Sequence, residues 1–558
     1  MSSFRRFAAL NAAALNAAAW GATAVCLALA APAFATTGPV VDAPAGQVQG
    51  QSDGGLNVFK GIPYAAPPVG PKRWKPPEPA ARWPGVREAS QFGPACFQPS
   101  PRSTSIYSDT PPVTSEDCLS LNVWAPKAAR NAPVMVWIHG GSLTSGASSE
   151  TMYDGAALAR KGIVVVSVNY RLGVLGYLAH PGLSAESPEG ISGNYGLLDQ
   201  VEALRWVQRN IKAFGGDPAQ VTIAGESAGG LSVMYLMASP PARGLFARAI
   251  AESAYMISTP DLKHAAYGAP SAEDLGAALA AKLKAPDVAA LRAMDAQAIT
   301  NAVAASGYLP FGAVDGKVLA GQLVDVFDKG EQAHVPILAG SNSGEIRSLT
   351  FLLPPAPANA ADYEKAIHAR YGDLADDFLK LYPSADIKES MLATTRDAMY
   401  AWTAERLAKS QTAIGQPAYL YRFDHGYPAA EDQGLHGFHA SELPFVFGTW
   451  ERTPPYWPKI PQTAAEQKLS DAMTSYWASF VKTGRPEAAA EPAWPRFGAG
   501  GAYMDFQAAP QPVDHIDRQP YALDEQVVCR RRIAGDQPWG WNVGVMSPPL
   551  SDKPASCP

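Results

Sequence analysis

Val221-Thr222-Ile223-Ala224-Gly225-Glu226-Ser227-Ala228-Gly229 is the stretch on which the fold reading turns. Val221 to Ala224 reads as a short, β-branched strand. It runs into Gly225-Glu226-Ser227-Ala228-Gly229, a G-x-S-x-G turn, and Leu231 to Met237 then reads as a helix. A sharp strand-to-helix turn holds the serine backbone in a strained conformation, and the glycines two before and two after leave room for it. The hydroxyl is then presented above a sheet at a helix N-terminus, where developing negative charge is favoured. Ser227 is therefore the candidate nucleophile.

Outward from this turn, apolar strand-like runs alternate with helical stretches. Val134-Met135-Val136-Trp137-Ile138 and Ile163-Val164-Val165-Val166-Ser167-Val168 are continuous runs, and Ala249-Ile250-Ala251 and Val335-Pro336-Ile337-Leu338-Ala339 are further buried strands. Gln200 to Phe214 instead places Val201, Leu204, Val207 and Ile211 at helical spacing, and Asp217-Pro218 breaks it. Strands apolar on both faces and separated by helices belong to a parallel sheet covered on both sides, so the fold class is α/β. Two long insertions, 260–330 and 355–415, read as mostly helical and are expected over the sheet edge that carries the loops. The Pro- and Gly-rich tail after about residue 485 is expected to wrap the surface. Candidate functional residues fall on both sides of the insertions, so 36–558 reads as one domain.

A serine on such a turn needs an acid and then a histidine later in the chain. Of nine histidines, His439 stands out because it opens His439-Ala440-Ser441-Glu442-Leu443-Pro444-Phe445, a loop entering an apolar segment; His436 is its competitor. Gly340-Ser341-Asn342-Ser343-Gly344-Glu345 follows the strand ending at Ala339, which puts Glu345 at the C-terminal end of a parallel strand, where functional loops gather. His139-Gly140-Gly141 follows Ile138 and precedes Ser227, as expected of a loop whose backbone N–H groups bind an oxyanion together with the N–H of Ala228.

Composition narrows the rest. The chain has 558 residues, 47% of them apolar, with 45 Lys and Arg against 51 Asp and Glu. No basic run with interleaved aromatics suits a nucleic acid. Residues 1–35 read as a signal peptide: Arg5-Arg6, an Ala-rich apolar stretch, then Ala33-Phe34-Ala35 before a cleavage site. Asn11, Asn16 and Thr23 break that stretch, which argues against a membrane anchor. No other segment has 18 apolar residues in a row, so no span is expected in the mature, exported chain. An oxidising compartment suits disulfides, and Cys96–Cys118 with Cys529–Cys557 is the favoured connectivity. Without a CxxC or Cys/His cluster no metal site is expected.

Several segments together resemble the type-B carboxylesterase and cholinesterase-like family: Phe59-Lys60-Gly61-Ile62-Pro63-Tyr64-Ala65, Glu116-Asp117-Cys118-Leu119-Ser120-Leu121-Asn122-Val123, Asn169-Tyr170-Arg171-Leu172-Gly173, Gly193-Asn194-Tyr195-Gly196, and Phe214-Gly215-Gly216-Asp217-Pro218 before the serine. The resemblance covers most of the mature chain. It implies the α/β-hydrolase fold, with a mostly parallel central sheet and helical insertions over the active-site edge. It implies a serine carboxylic ester hydrolase that takes a small-molecule ester and needs no cofactor. It assigns the triad to Ser227, Glu345 and His439, the oxyanion donors to the backbone of Gly141, Ser142 and Ala228, and supports the Cys96–Cys118 pair. Three positions depart from the family pattern: Ser142-Leu143 where a third glycine and an aromatic are usual, Gly344-Glu345-Ile346 where Asp-Glu-Gly is usual, and Glu252-Ser253-Ala254 where Gln-Ser-Gly is usual. Two other readings stay open: an amidase or a hydrolase specialised for one bulky natural ester, and a non-catalytic binding protein on the same fold. Relatives of the latter kind typically lose the nucleophile.

Overall fold

The computed structural model describes residues 38–100, 104–109, 113–540 and 544–557. The export signal expected over 1–35 lies outside them. An eleven-stranded sheet organises the chain. In sequence its strands are β1 (Gln51–Asp53), β2 (Leu56–Pro63), β3 (Ser120–Pro126), β4 (Ala132–Ile138), β5 (Val164–Val168), β6 (Gly216–Glu226), β7 (Arg248–Glu252), β8 (Ile337–Asn342), β9 (Ala418–Phe423), β10 (Tyr503–Phe506) and β11 (Pro510–Val513). Across the sheet they run β11-β10-β9-β8-β7-β6-β4-β5-β3-β2-β1. The centre, from β5 through β4, β6, β7, β8 and β9 to β10, is parallel. Both margins are antiparallel.

The apolar runs are parallel strands because both faces are covered. Every residue of Val164–Val168 is buried. Val136, Val166 and Ile223 belong to one packed layer, and Met135, Val165 and Ala224 to the other. The helices Tyr195–Asn210 and Ala228–Ala238 serve the first layer, and Ala464–Thr483 the second. The residues alternate between layers because successive strand side chains point to opposite faces.

The insertions are helical as expected, at Ala272–Lys282, Val288–Ala293 and Ala296–Ser306, and again at Ala360–Tyr371, Ala375–Leu381, Ile387–Arg396 and Trp402–Ala413. Each set buries its own apolar cluster, around Ile299 and around Phe378. The tail differs from expectation. It adds β10 and β11 to the sheet edge and then forms the helix Gln519–Ala534. Buried Met504 and Phe506 pack under Trp477 and Trp494, and that burial outweighs the poor strand propensity of a Pro- and Gly-rich segment. Cys96 is bonded to Cys118, with Cα atoms 5.0 Å apart, and Cys529 to Cys557, with Cα atoms 5.8 Å apart. Gly38–Pro558 is one compact unit, and among the described residues no helix is long and apolar enough to cross a membrane.

Candidate active site

β6 ends at Glu226, the helix Ala228–Ala238 begins one residue later, and Ser227 joins them at φ 56°, ψ −119°. That is a left-handed conformation a serine rarely adopts, and such strain concentrates at functional sites. The turn is forced to be tight. A Cβ at position 229 would stand 2.1 Å from the Ile138 carbonyl oxygen, and one at position 225 would stand 2.6 Å from Gly229. The Ser227 N–H donates to the Glu252 carbonyl at 3.0 Å, and its own carbonyl accepts from Leu231 N–H at 2.9 Å. The backbone is thus pinned on both sides, and the side chain opens onto a cavity of about 660 Å³.

The loop after β4 lies against this turn. A Cβ at Gly140 would approach Ser227 Cβ to 3.3 Å. The Gly141 carbonyl is held by four donors: Thr144 N–H and Ser145 N–H at 2.9 and 3.0 Å, and their hydroxyls at 3.1 and 3.2 Å. Gly141, Ser142 and Leu143 all have positive φ, at 100°, 55° and 58°. Leu143 is fully buried, and its carbonyl accepts from Gly173 N–H at 2.7 Å. Among the described residues no hydrogen bond engages the backbone N–H of Gly141, Ser142 or Ala228.

Glu345 follows β8 in a short 3₁₀ turn and is wholly buried. Its Oε1 accepts from Ser253 Oγ at 2.7 Å and from Asn342 N–H at 2.8 Å. Its Oε2 pairs closely with Nδ1 of His439. The other ring nitrogen, Nε2, lies 3.0 Å from Glu226 Oε1. His439 and Ser227 line the same cavity, but no hydrogen bond joins Nε2 to Ser227 Oγ in this conformation. His436, the competing histidine, pairs instead with Glu431 at 2.6 Å, on a half-exposed site outside the cavity wall.

Some neighbours were not singled out in the sequence. The Tyr107 hydroxyl donates to the His439 carbonyl at 3.0 Å and is hydrogen-bonded to Ser348 Oγ at 2.6 Å. Tyr400 places its ring 5.1 Å from the imidazole. Glu226, Glu252 and Glu442 are buried carboxyls close to the Glu345–His439 pair. Burial, and then the neighbouring carboxylates, push Glu226 and Glu442 well above the ordinary carboxyl range. Burial pushes Glu252 up to about 8, against the opposing effect of the Trp477 Nε1–H donated to its Oε1 at 2.9 Å. A signal for two of these existed: Glu226 sits inside G-x-S-x-G, and Glu442 follows His439 by three residues. Among the described residues no cluster of His, Cys, Asp and Glu is arranged to hold a metal ion.

A family-wide sequence pattern described as the carboxylesterase family matches residues 37–523. The fumonisin B1 esterase of Sphingopyxis macrogoltabida is 37% identical over 486 residues, covering 83% of this chain and 85% of that protein. The para-nitrobenzyl esterase of Bacillus subtilis (strain 168) is 38% identical over 468 residues, covering 83% and 93%. Among solved structures, a PNB esterase superposes with a TM-score of 0.76 at 34% identity, covering 87% of this chain and 99% of that one. The Geobacillus stearothermophilus carboxylesterase EST55 gives 0.74 at 34% identity, with the same coverage.

Proposed function

The chain belongs to the carboxylesterase family and is a carboxylic ester hydrolase of the α/β-hydrolase fold; from that premise we propose that it works by two-step acyl transfer, with Ser227 as nucleophile, His439 as general base and Glu345 as the orienting acid. The observation that carries this reading is the meeting of three distant segments on one cavity. The strained Ser227 turn and the imidazole of His439 both open onto it, and the buried Glu345 stands behind that imidazole at Nδ1.

In the first step Ser227 Oγ bonds to the ester carbonyl carbon and its proton passes to His439 Nε2. For this, Nε2 exchanges its contact with Glu226 for the hydroxyl of the next residue; catalytic hydrogen bonds often tighten only with substrate bound. Negative charge on the former carbonyl oxygen is taken up by the N–H groups of Gly141, Ser142 and Ala228, whose donors are unused. Glu345 fixes the tautomer that leaves Nε2 free to accept, and stabilises the imidazolium. When the tetrahedral intermediate collapses, Nε2–H protonates the leaving alkoxide as the C–O bond breaks. Water then adds to the acyl-enzyme, giving its proton to Nε2, and the acid departs as Ser227 recovers a proton. No step calls for a cofactor.

An ester is favoured over an amide because the similar fumonisin B1 and para-nitrobenzyl enzymes are esterases. The cavity has an extensive apolar wall, including Phe311, Leu349 and Phe351, which suits a substrate with a sizeable apolar part. The two disulfides fit export, and we read residues 1–35 as the signal and 36–558 as one domain. The decisive experiment is Ser227→Ala. It is expected to abolish hydrolysis of p-nitrophenyl acetate and labelling by a fluorophosphonate probe, with an unchanged circular dichroism spectrum. Turnover persisting in a clean preparation would refute the assignment.

A further inference from the structure

Residue 142 is held from both sides. Before it, the Gly141 carbonyl is fixed by four donors; after it, Leu143 is fully buried. Between them Ser142 is kept at φ 55°, a conformation that glycine adopts freely and that costs a side-chain-bearing residue about 1 kcal/mol or more. None of the loop's hydrogen bonds or packing uses the side chain of residue 142, so glycine would serve the turn with less strain. The neighbouring hydroxyls of Thr144 and Ser145 turn back onto Gly141. That of Ser142 makes no hydrogen bond among the described residues and stands exposed in the wall of the cavity that holds Ser227. A strained residue that presents an unused donor to a reaction centre points to a role in the reaction.

We propose that the Ser142 hydroxyl is itself a catalytic group. It donates a hydrogen bond to the substrate oxygen that becomes negative when Ser227 adds to the ester carbonyl, beside the three backbone N–H groups. This rests on the acyl-transfer reading above and extends it. The backbone on either side of Ser142 is fixed, so only the side-chain torsions have to adjust as charge develops in the cavity, where a donor contributes more than in open water.

The test uses the full-length enzyme and p-nitrophenyl acetate, with Ser142→Ala, Ser142→Gly and Ser227→Ala made in parallel. Ser142→Ala and Ser142→Gly are expected to lower kcat about 10- to 100-fold, with KM within about twofold, because the contact strengthens only in the transition state. Ser142→Gly is also expected to raise Tm, since it relieves the strain while keeping every backbone donor. Wild-type kcat in Ser142→Ala overturns the proposal, as does loss of kcat in Ser142→Ala but not in Ser142→Gly, which would lay the effect on the Cβ environment. If Ser142→Ala folds poorly, Ser142→Gly alone decides, because it cannot strain the turn. An active Ser227→Ala would sink the acyl-transfer reading itself; an inactive Ser227→Ala beside a fully active Ser142→Ala sinks only the role of the hydroxyl.

Discussion

Nε2 of His439 lies 3.0 Å from Oε1 of Glu226, the carboxyl of the residue immediately before Ser227. The imidazole therefore has a carboxyl beside each nitrogen, Glu345 hydrogen-bonded at Nδ1 and Glu226 close to Nε2 without a hydrogen bond to it. These two contacts do different things. Glu345 accepts from Ser253 Oγ and Asn342 N–H, which fix its carboxyl behind the ring. Glu226 has no such donors and is pushed up by burial and by Glu345, Glu252 and Glu150. While protonated, Glu226 can donate to the Nε2 lone pair that Ser227 needs.

It follows that ionising Glu226 frees Nε2 and adds a negative charge beside the imidazolium. The rate should therefore rise with pH through the raised titration of Glu226. Glu226→Gln stays neutral at every pH and can donate to Nε2 but never supplies the negative charge beside the imidazolium. It is expected to lower kcat about tenfold, the size of one interaction with a charged group, and to remove the Glu226 component of the rise. A pH profile of kcat/KM identical to wild type would contradict this.

Glu252 leads to a prediction about stability. Its folded pKa of about 8 lies above that of an ordinary carboxyl, so between the two the folded chain binds a proton that the unfolded chain has lost. Stability from this group is complete below the unfolded value and falls as pH rises toward 8, by about 1.4 kcal/mol per pH unit for one such carboxyl. Glu252→Gln keeps an acceptor for Trp477 Nε1–H and removes the titration. Its Tm is expected to decline less than that of wild type between pH 5 and pH 8. Parallel Tm curves would show that Glu252 is not the group responsible.

Tyr107 ties the backbone of His439 to Ser348. Tyr107→Phe removes the hydroxyl and leaves the ring edge-on to the imidazole. Losing one hydrogen bond of about 1 kcal/mol should lower kcat about fivefold with KM little changed. Equal changes in kcat and KM, leaving kcat/KM untouched, would mean that the hydroxyl does not position the base.

The two disulfides should behave differently. Cys96–Cys118 closes the loop that carries Tyr107, whereas Cys529–Cys557 staples the C-terminal helix to the end of the chain. Replacing either pair by serines should cost about 3 kcal/mol of stability, as for loops of this size. Only the Cys96→Ser/Cys118→Ser variant should also lose kcat, by at least as much as Tyr107→Phe. Steady-state kinetics below the Tm of both variants separate the two effects.

What could be read from the sequence was local. The bend at Ser227 needs only a β-branched strand, two glycines and a helix within one short stretch, so its meaning travels with it. The runs at 134–138 and 164–168 announce buried strands because both of their faces are apolar. What could not be read depends on contacts between distant segments. Nothing around Tyr107 marks it as a partner of His439, more than 300 residues later. Glu226 reads as an unspecified position in a motif until the fold brings the imidazole to it. Tyr503–Phe506 becomes a strand because Trp477 and Trp494 cover Met504 and Phe506, and Pro510–Val513 follows by pairing antiparallel with it.

Ser227 stands at the end of a central strand, while Leu309, Phe311, Phe351 and Met399 reach the cavity from the helical insertions and their connecting loops. Chemistry and selectivity are thus written in different stretches of polypeptide. A variant library confined to residues 308–312 and 349–353 could be screened for new esters without disturbing the machinery that cleaves them, and natural drift in those loops would redirect such an enzyme to new compounds while its bond-breaking apparatus stayed fixed.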